Sequence, residues 1–536
     1  MEEMKMDNEM IQGAAHAPAN AVPANAVPAN AVPANAAPKT EIRPLDTVFV
    51  WLALVLGFLI VRYAVFSPNG FITTAASLLI FACSSMYVIK AGERPTVRQW
   101  LLGAVICVFS LVFSFTASTL LHVLCFIFLL AMQFWWVQAV AVRARFVTRY
   151  FMSDLLRTIV FQPLFDISAA PRAMHAALKG SEKVNAVRNA ILGIIFTVPL
   201  TLVVAALLSD ADSGIEDMLS GLARLLTDNV LSTLFQVILA FPVGFIIFSM
   251  MRADSIQKLY PLPSDICYHD RFAKLAIVPQ SAVFAGVTPI CLLYIMYVVS
   301  QANYFLSAFA GKLPGDMIYS EYARRGFFEL CAIAVINFAV IMGMTAFSKK
   351  NAEKPSGALK VYTCLMSGLT LFIISTALAK MFMYVGEFGL TRLRLYTSWF
   401  MILLAVIFII LVIRAFVPRF RTSAAISAAF IVLFGVLCFS RPDAVIAEYN
   451  ISLYERGALE TLDVKTLCSL SDDAYVVMLD HYDTIKDIKW AEYWSEEEDM
   501  SFDKVLSYKA DNTGLKSYNI SSMIVTSAAR ARGNEA

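Results

Sequence analysis

A chain of 536 residues that is 59% hydrophobic and 16% charged, with a mean hydropathy of +0.66, carries more apolar surface than a water-soluble core can hide. That excludes an ordinary soluble enzyme, and a net charge of +2 gives no reason to expect a nucleic-acid partner. No C-x-x-C pair occurs among the nine cysteines, and His16, His122, His175, His269 and His481 are scattered without ligand spacing, so no disulfide framework, metal centre or cofactor is expected.

Residues 1–45 open the chain as a polar tail, in which 18–37 repeat a five-residue Pro-Ala-Asn-Ala-Val unit. Proline at that frequency forbids a continuous helix, so the tail is expected to be extended and disordered. No basic segment with a small-residue cleavage site precedes the first apolar run, so that run is expected to stay as an anchor.

Apolar runs of spanning length follow at 48–66, 71–90, 101–116, 119–142, 191–209, 231–251, 275–300, 327–347, 358–378, 396–417 and 423–440. Two are short, so ten to twelve spans fit the pattern. Backbone polar groups cannot be left bare in hydrocarbon, and runs this long are helices rather than barrel strands. The predicted fold is therefore an all-α transmembrane bundle over 46–440. With a cytoplasmic N-terminus, the connections on the inner side carry about 24 lysines and arginines against about seven on the outer side. That assignment, in a cell membrane, puts 441–536 outside the cytoplasm. This last segment has an acidic cluster at Glu496, Glu497, Glu498 and Asp499, and a helical stretch over 472–482 with Ala474, Val477 and Met478 on one face. It is expected to be a small α-rich domain with room for a protein partner.

Two further segments read as amphipathic helices lying along the bilayer. In 213–228, Ile215, Met218, Leu219, Leu222, Leu225 and Leu226 oppose Asp217 and Arg224. In 150–161, Arg157 lies beside Phe151, Leu155, Leu156 and Ile159, an arrangement suited to anionic headgroups on the inner side.

The interiors of the predicted spans are almost free of ionisable groups; Gln133, Gln138, Gln236, Gln280 and Asn337 are their polar residues, and bonding between helices accounts for them. Charge gathers instead at span ends opening on the outer side. Asp210 and Asp212 close the fifth span, Tyr304 follows the seventh, Glu321, Arg324, Arg325 and Glu329 lead into the eighth, and Arg392 and Arg394 lead into the tenth. One reading makes these interfacial ion pairs and snorkelling arginines. A second makes them a pocket in which forked guanidinium bonds hold an anionic lipid headgroup or small anion. A third takes Asp210-Ala211-Asp212 as a D-x-D metal-holding motif of a lipid-linked transferase.

Four stretches together resemble the bacterial integral-membrane proteins grouped as domains of unknown function 4153 and 4173. They are Leu207-Leu208-Ser209-Asp210-Ala211-Asp212; Glu321-Tyr322-Ala323-Arg324-Arg325-Gly326-Phe327-Phe328-Glu329-Leu330; Tyr384 with Gly389-Leu390-Thr391-Arg392-Leu393-Arg394; and Arg441-Pro442-Asp443-Ala444 leading to Tyr449-Asn450. The commoner wording has asparagine where this chain has Arg441. What the resemblance implies is a shared multi-helix membrane fold, with no assigned activity. Three functions stay open: a transporter-like or lipid- and anion-recognising protein, a membrane scaffold or sensor, and the transferase. No phosphate-binding G-x-x-x-x-G-K-[ST], G-x-S-x-G or H-E-x-x-H occurs.

Overall fold

The computed structural model describes residues 40–142, 150–178, 228–259, 261–263, 265–300, 327–349, 357–417, 419–491, 499–512 and 519–533, with the single positions 193, 197, 201 and 204. Among them, ten helices are long and apolar enough to cross a bilayer. The protein is an all-α, multi-pass membrane protein. Most of the predicted fifth span and the amphipathic 213–228 stretch up to its last residue lie outside the described residues.

In chain order, the first half holds α1 (Pro44–Ile60, continued by a π turn, Val61–Phe66), α2 (Gly70–Lys90), α3 (Val97–Ser110) with its extension α4 (Val112–Phe115), and α5 (Thr119–Ala141). Short helices follow: α6 (Phe151–Leu156), a π turn (Arg157–Phe161), α7 (Gln162–Asp166) and α8 (Ala169–Ala177). Then come α9 (Asp228–Met251), α10 (Ala253–Leu259), α11 (Asp265–Leu275), α12 (Gln280–Ser300), α13 (Phe327–Phe347), α14 (Gly357–Phe388), α15 (Arg392–Phe416) and α16 (Thr422–Phe439). The chain closes with α17 (Pro442–Glu455), α18 (Val464–Cys468), α19 (Asp472–Asp480), α20 (Tyr482–Ile485), a two-residue antiparallel ladder of Trp490–Ala491 with Asp499–Met500, α21 (Phe502–Asn512) and α22 (Ile520–Gly533).

Local chemistry places the boundaries. Pro44 stands in the first turn of α1, where its missing N–H costs nothing. Asn69 caps α2 by accepting from the Ile72 N–H at 3.1 Å, and Thr96 with Gln99 forms a capping box at α3.

Three apolar cores organise the described chain. The first joins α1, α2, α3, α5, α6, α8 and α9, around buried Trp135, Trp136, Phe49 and Phe248. The second joins α12, α13, α14 and α15. A third lies within α17–α22, where Ala474 and Met478 of α19 are buried beside Ile451, Tyr475 and Phe502. Helix α15 connects the first two, because Leu395, Tyr396 and Trp399 pack on the first core while Met401, Leu404 and Phe408 belong to the second.

Hydrogen bonds between helices define two ends. Asp46, Tyr87, Gln138, Asp166 and Arg252 gather at one; Thr116, Arg392, Asp443 and Asp473 gather at the other. Helix α8 lies at the Arg252 end, whereas α9, which finishes there, begins 24 residues earlier at the opposite end.

The ninth predicted span needs a correction. Hydropathy ended it at 378 and counted Lys380, Arg392 and Arg394 in an outer loop. The helix instead runs 32 residues to Phe388, leaving only Gly389–Thr391 as the turn. One lysine lowers a hydropathy average, but it does not break a helix whose flanking residues, Leu378 to Val385, are otherwise helix-compatible and mostly apolar.

The tightest crossing is α1 against α9. A Cβ placed on Gly57 would stand 2.7 Å from the Gly244 nitrogen, and one on Gly244 would stand 2.9 Å from the Leu54 Cα. Only small residues let membrane helices approach so closely. Gly244→Val should therefore lower the melting temperature in detergent by several degrees or abolish the monodisperse peak. Gly368→Ala, whose Cβ meets nothing within 4 Å, should leave both unchanged.

Candidate functional site

Of the nine residues that sequence reasoning nominated, Asp210, Asp212, Tyr304, Glu321, Arg324 and Arg325 lie outside the described residues. The other three are placed. Glu329 is exposed in the first turn of α13. Arg392 holds Asp443 with a two-pronged bond, Nε to Oδ1 at 2.8 Å and Nη2 to Oδ2 at 2.7 Å, and Asp443 also accepts from the Ser471 N–H at 3.1 Å. Arg394 donates to the carbonyls of Phe388 and Gly389 and lies over the Tyr384 ring, 4.2 Å from its centre. Both described arginines thus work within the protein: one ties α15 to the C-terminal helices, and the other fixes the α14–α15 turn.

That turn has its own lock. Gly389 adopts φ of 73°, and Asn450 of α17 accepts from the Leu390 N–H at 2.6 Å while donating to the Leu390 carbonyl at 2.8 Å. A second seam centres on Asp473, wholly buried, which accepts from Thr116, the Ala117 N–H, Ser521 and Arg441. Arg441 itself has φ of 51°, a left-handed backbone in which asparagine is enriched. Arg441 thus holds a conformational position and also donates to Asp473 and Ser521.

Lys380, which hydropathy had put in a loop, is buried in α14, eight residues or about 12 Å short of its end. It follows Ala377 by three residues and precedes Tyr384 by four, so the three share one helix face. Toward the start of α14 come Thr370, Ser367 and Thr363, also buried, but at 100° per residue they stand roughly 80–140° around the helix from Lys380. Thr370 accepts from the Asn337 amide at 2.9 Å, and Asn337 accepts from the Tyr294 hydroxyl at 2.7 Å, so three helices meet on one polar chain. The Ser367 hydroxyl is fully buried with no hydrogen-bond partner among the described residues. Ile373, Ile374 and Ala377 lie between Thr370 and Lys380, with buried Thr376 one turn before the lysine. The site is thus two polar patches in one apolar core, with the Lys380 patch leading through Tyr384 to Arg394.

A second group of charges, at the opposite end, also escaped sequence reasoning. Arg252, fully buried just past α9, donates to Asp46 of α1, to Asp166 of α7 at 2.8 Å and to Thr40 at 2.7 Å. Tyr87 donates to Asp46 at 2.6 Å, and Arg43 pairs with Asp254. Each is a single charge beside a long apolar run, a signal that marks a span boundary and says nothing of its partner. Among the described residues, no three His, Cys, Asp or Glu side chains gather closely enough to hold a metal ion.

The Arg392–Asp443 pair makes a pH prediction. Burial alone would raise the Asp443 carboxyl, but the Arg392 and Ser471 bonds outweigh it and hold the group below its ordinary value. Its stabilising contribution is therefore present at neutral pH and lost as pH falls through the folded-state value, below about 4. Arg392 is 41% exposed, so we expect Asp443→Asn to cost roughly 2 kcal/mol at pH 7. Thermal melts should show the gap between variant and parent closing in acid.

No curated protein and no solved structure matches the chain. A family model does, the one described as "Domain of unknown function (DUF4153)", over residues 103–481. That span takes in α15, α17 and α19 with the Arg392, Asp443 and Asp473 seams, together with the Lys380 face of α14. By this match, which covers well over half its length, the chain belongs to the DUF4153 family of proteins of unknown function.

Proposed function

We propose that this protein is a transporter-like membrane protein that admits a small anion, or the anionic headgroup of a lipid, to the polar face of α14. The observation that carries this reading is Lys380, a lysine buried within the second core. Ionisable side chains inside membrane helices are costly and are retained where a charge must be met. A buried ammonium group attracts anions more strongly than the same group in water. Buried Thr376 places a hydroxyl one turn further in on the same side of the helix, and Arg394 and Tyr384 stand at the mouth. The apolar stretch at Ile373, Ile374 and Ala377 then acts as the barrier that a conformational change has to open.

Under the orientation required by the charge tally, the Arg252 end is cytoplasmic and α17–α22 stand outside a cell membrane, so the mouth at Arg394 faces outward.

A sensor reading has its own support, because Asp443 and Asp473 couple α17–α22 directly to α4 and α15. Under that reading a protein partner on the outer domain is lost with Asp473→Ala, and co-purification that survives the change would count against it.

The transport reading is tested in proteoliposomes on a solid-supported membrane, with concentration jumps of phosphate, acetate and chloride. At least one anion should give a transient current, reduced tenfold or more in Lys380→Met and partly kept in Lys380→Arg. Currents equal to those of empty liposomes, or unaffected by Lys380→Met, would contradict the proposal.

A further inference from the structure

The helical run formed by α6, its π turn and α7 is built with its polar side toward the protein. Asp154, Thr158, Gln162 and Asp166, spaced every four residues, are all buried. Met152, Leu156, Val160 and Leu164 keep the same spacing on the opposite side and are exposed, as are Phe161 and Phe165. In a regular α-helix a strict four-residue repeat drifts by about 40° per step. The wider π turn at Arg157–Phe161 counteracts that drift and keeps both stripes on opposite faces.

The buried stripe is held by specific partners. Asp154 accepts from the Tyr268 hydroxyl at 2.7 Å, and Asp166 accepts from Arg252 at 2.8 Å. Ser249 of α9 donates to the carbonyls of Gln162 and Pro163. The Gln162 amide has no partner among the described residues. Rotating the run to put these groups in water would break all of those bonds, so the apolar stripe must stay outward.

Depth identifies what covers it. The Phe151 ring packs edge-on against Trp135 at 5.0 Å, and Trp135 lies six residues, about 9 Å, before the end of the spanning helix α5. The run therefore begins below the ends of the spans. At the same end the spanning helix α1 also leaves Val48, Trp51, Leu52 and Val55 exposed, so large apolar side chains face outward at this level on more than one element.

We propose that residues 151–166 are embedded in one leaflet with Met152, Leu156, Val160, Phe161, Leu164 and Phe165 against lipid acyl chains, screening the Arg252 group from hydrocarbon on its inward side. This differs from a helix resting on headgroups through its arginines. The carboxylates and the Gln162 amide lie beneath the bilayer surface, yet only the protein meets them.

Site-specific photo-crosslinking tests this in the full-length protein in nanodiscs of phosphatidylethanolamine and phosphatidylglycerol, with p-benzoylphenylalanine at Leu156, Leu164 or, as a control on an exposed polar surface, Lys258. Irradiation should add the mass of one phospholipid at 156 and 164, with the adduct mapped to an acyl chain, and none at 258. A covalent dimer, a headgroup adduct, or equal lipid labelling at 258 would overturn the proposal. Circular dichroism of each variant checks that an unlabelled sample is still folded.

Discussion

A guanidinium group buried at the edge of a membrane has to find every one of its partners inside the protein, and Arg252 does so with Asp46, Asp166 and Thr40. Removing one member of such a pair leaves an uncompensated charge, typically a loss of about 3–5 kcal/mol, whereas the intact set is close to neutral in energy. Its contribution is thus to specify rather than to add stability. Only one arrangement of α1, α7 and α9 satisfies all these groups, and that arrangement brings Gly57 against Gly244, orients the run 151–166 and sets the plane from which the first core is built.

The opposite end follows the same logic with different residues. Asp443 and Asp473 are buried at the seam between the bundle and the C-terminal helices, each answered by an arginine and by backbone or hydroxyl donors. Both of these networks lie at the ends of the long apolar helices, and each joins elements far apart in the chain. Arg392 and Arg394 belong to that category: their donors are directed at Asp443 and at the carbonyls of the α14–α15 turn. Lys380 belongs to another, because it sits within a spanning helix, one turn after the buried hydroxyl of Thr376.

Much of the architecture was legible in advance, because a run of twenty apolar residues has few alternatives to a spanning helix. Span ends were read less well. A hydropathy average cannot distinguish a lysine that ends a helix from one carried inside it, and so Lys380 was assigned to a loop. Pairings such as Arg252 with Asp166, separated by 86 residues, leave no local trace in the sequence. The amphipathic character of 150–161 was visible, but its direction was not: the polar stripe every four residues points inward because Tyr268 and Arg252 are there to receive it. Asn337 was recognised as a polar residue in a span, and its bonds to Tyr294 and Thr370 show which helices it joins.

The account depends most heavily on Lys380 lying inside a continuous helix and within the membrane. Hydrogen exchange of the nanodisc-embedded protein, read by mass spectrometry across residues 376–391, measures this directly. Slow exchange through Tyr384, with fast exchange confined to Gly389–Thr391, is the predicted result. Fast exchange from 379 onward would put Lys380 in a solvated loop and contradict the account.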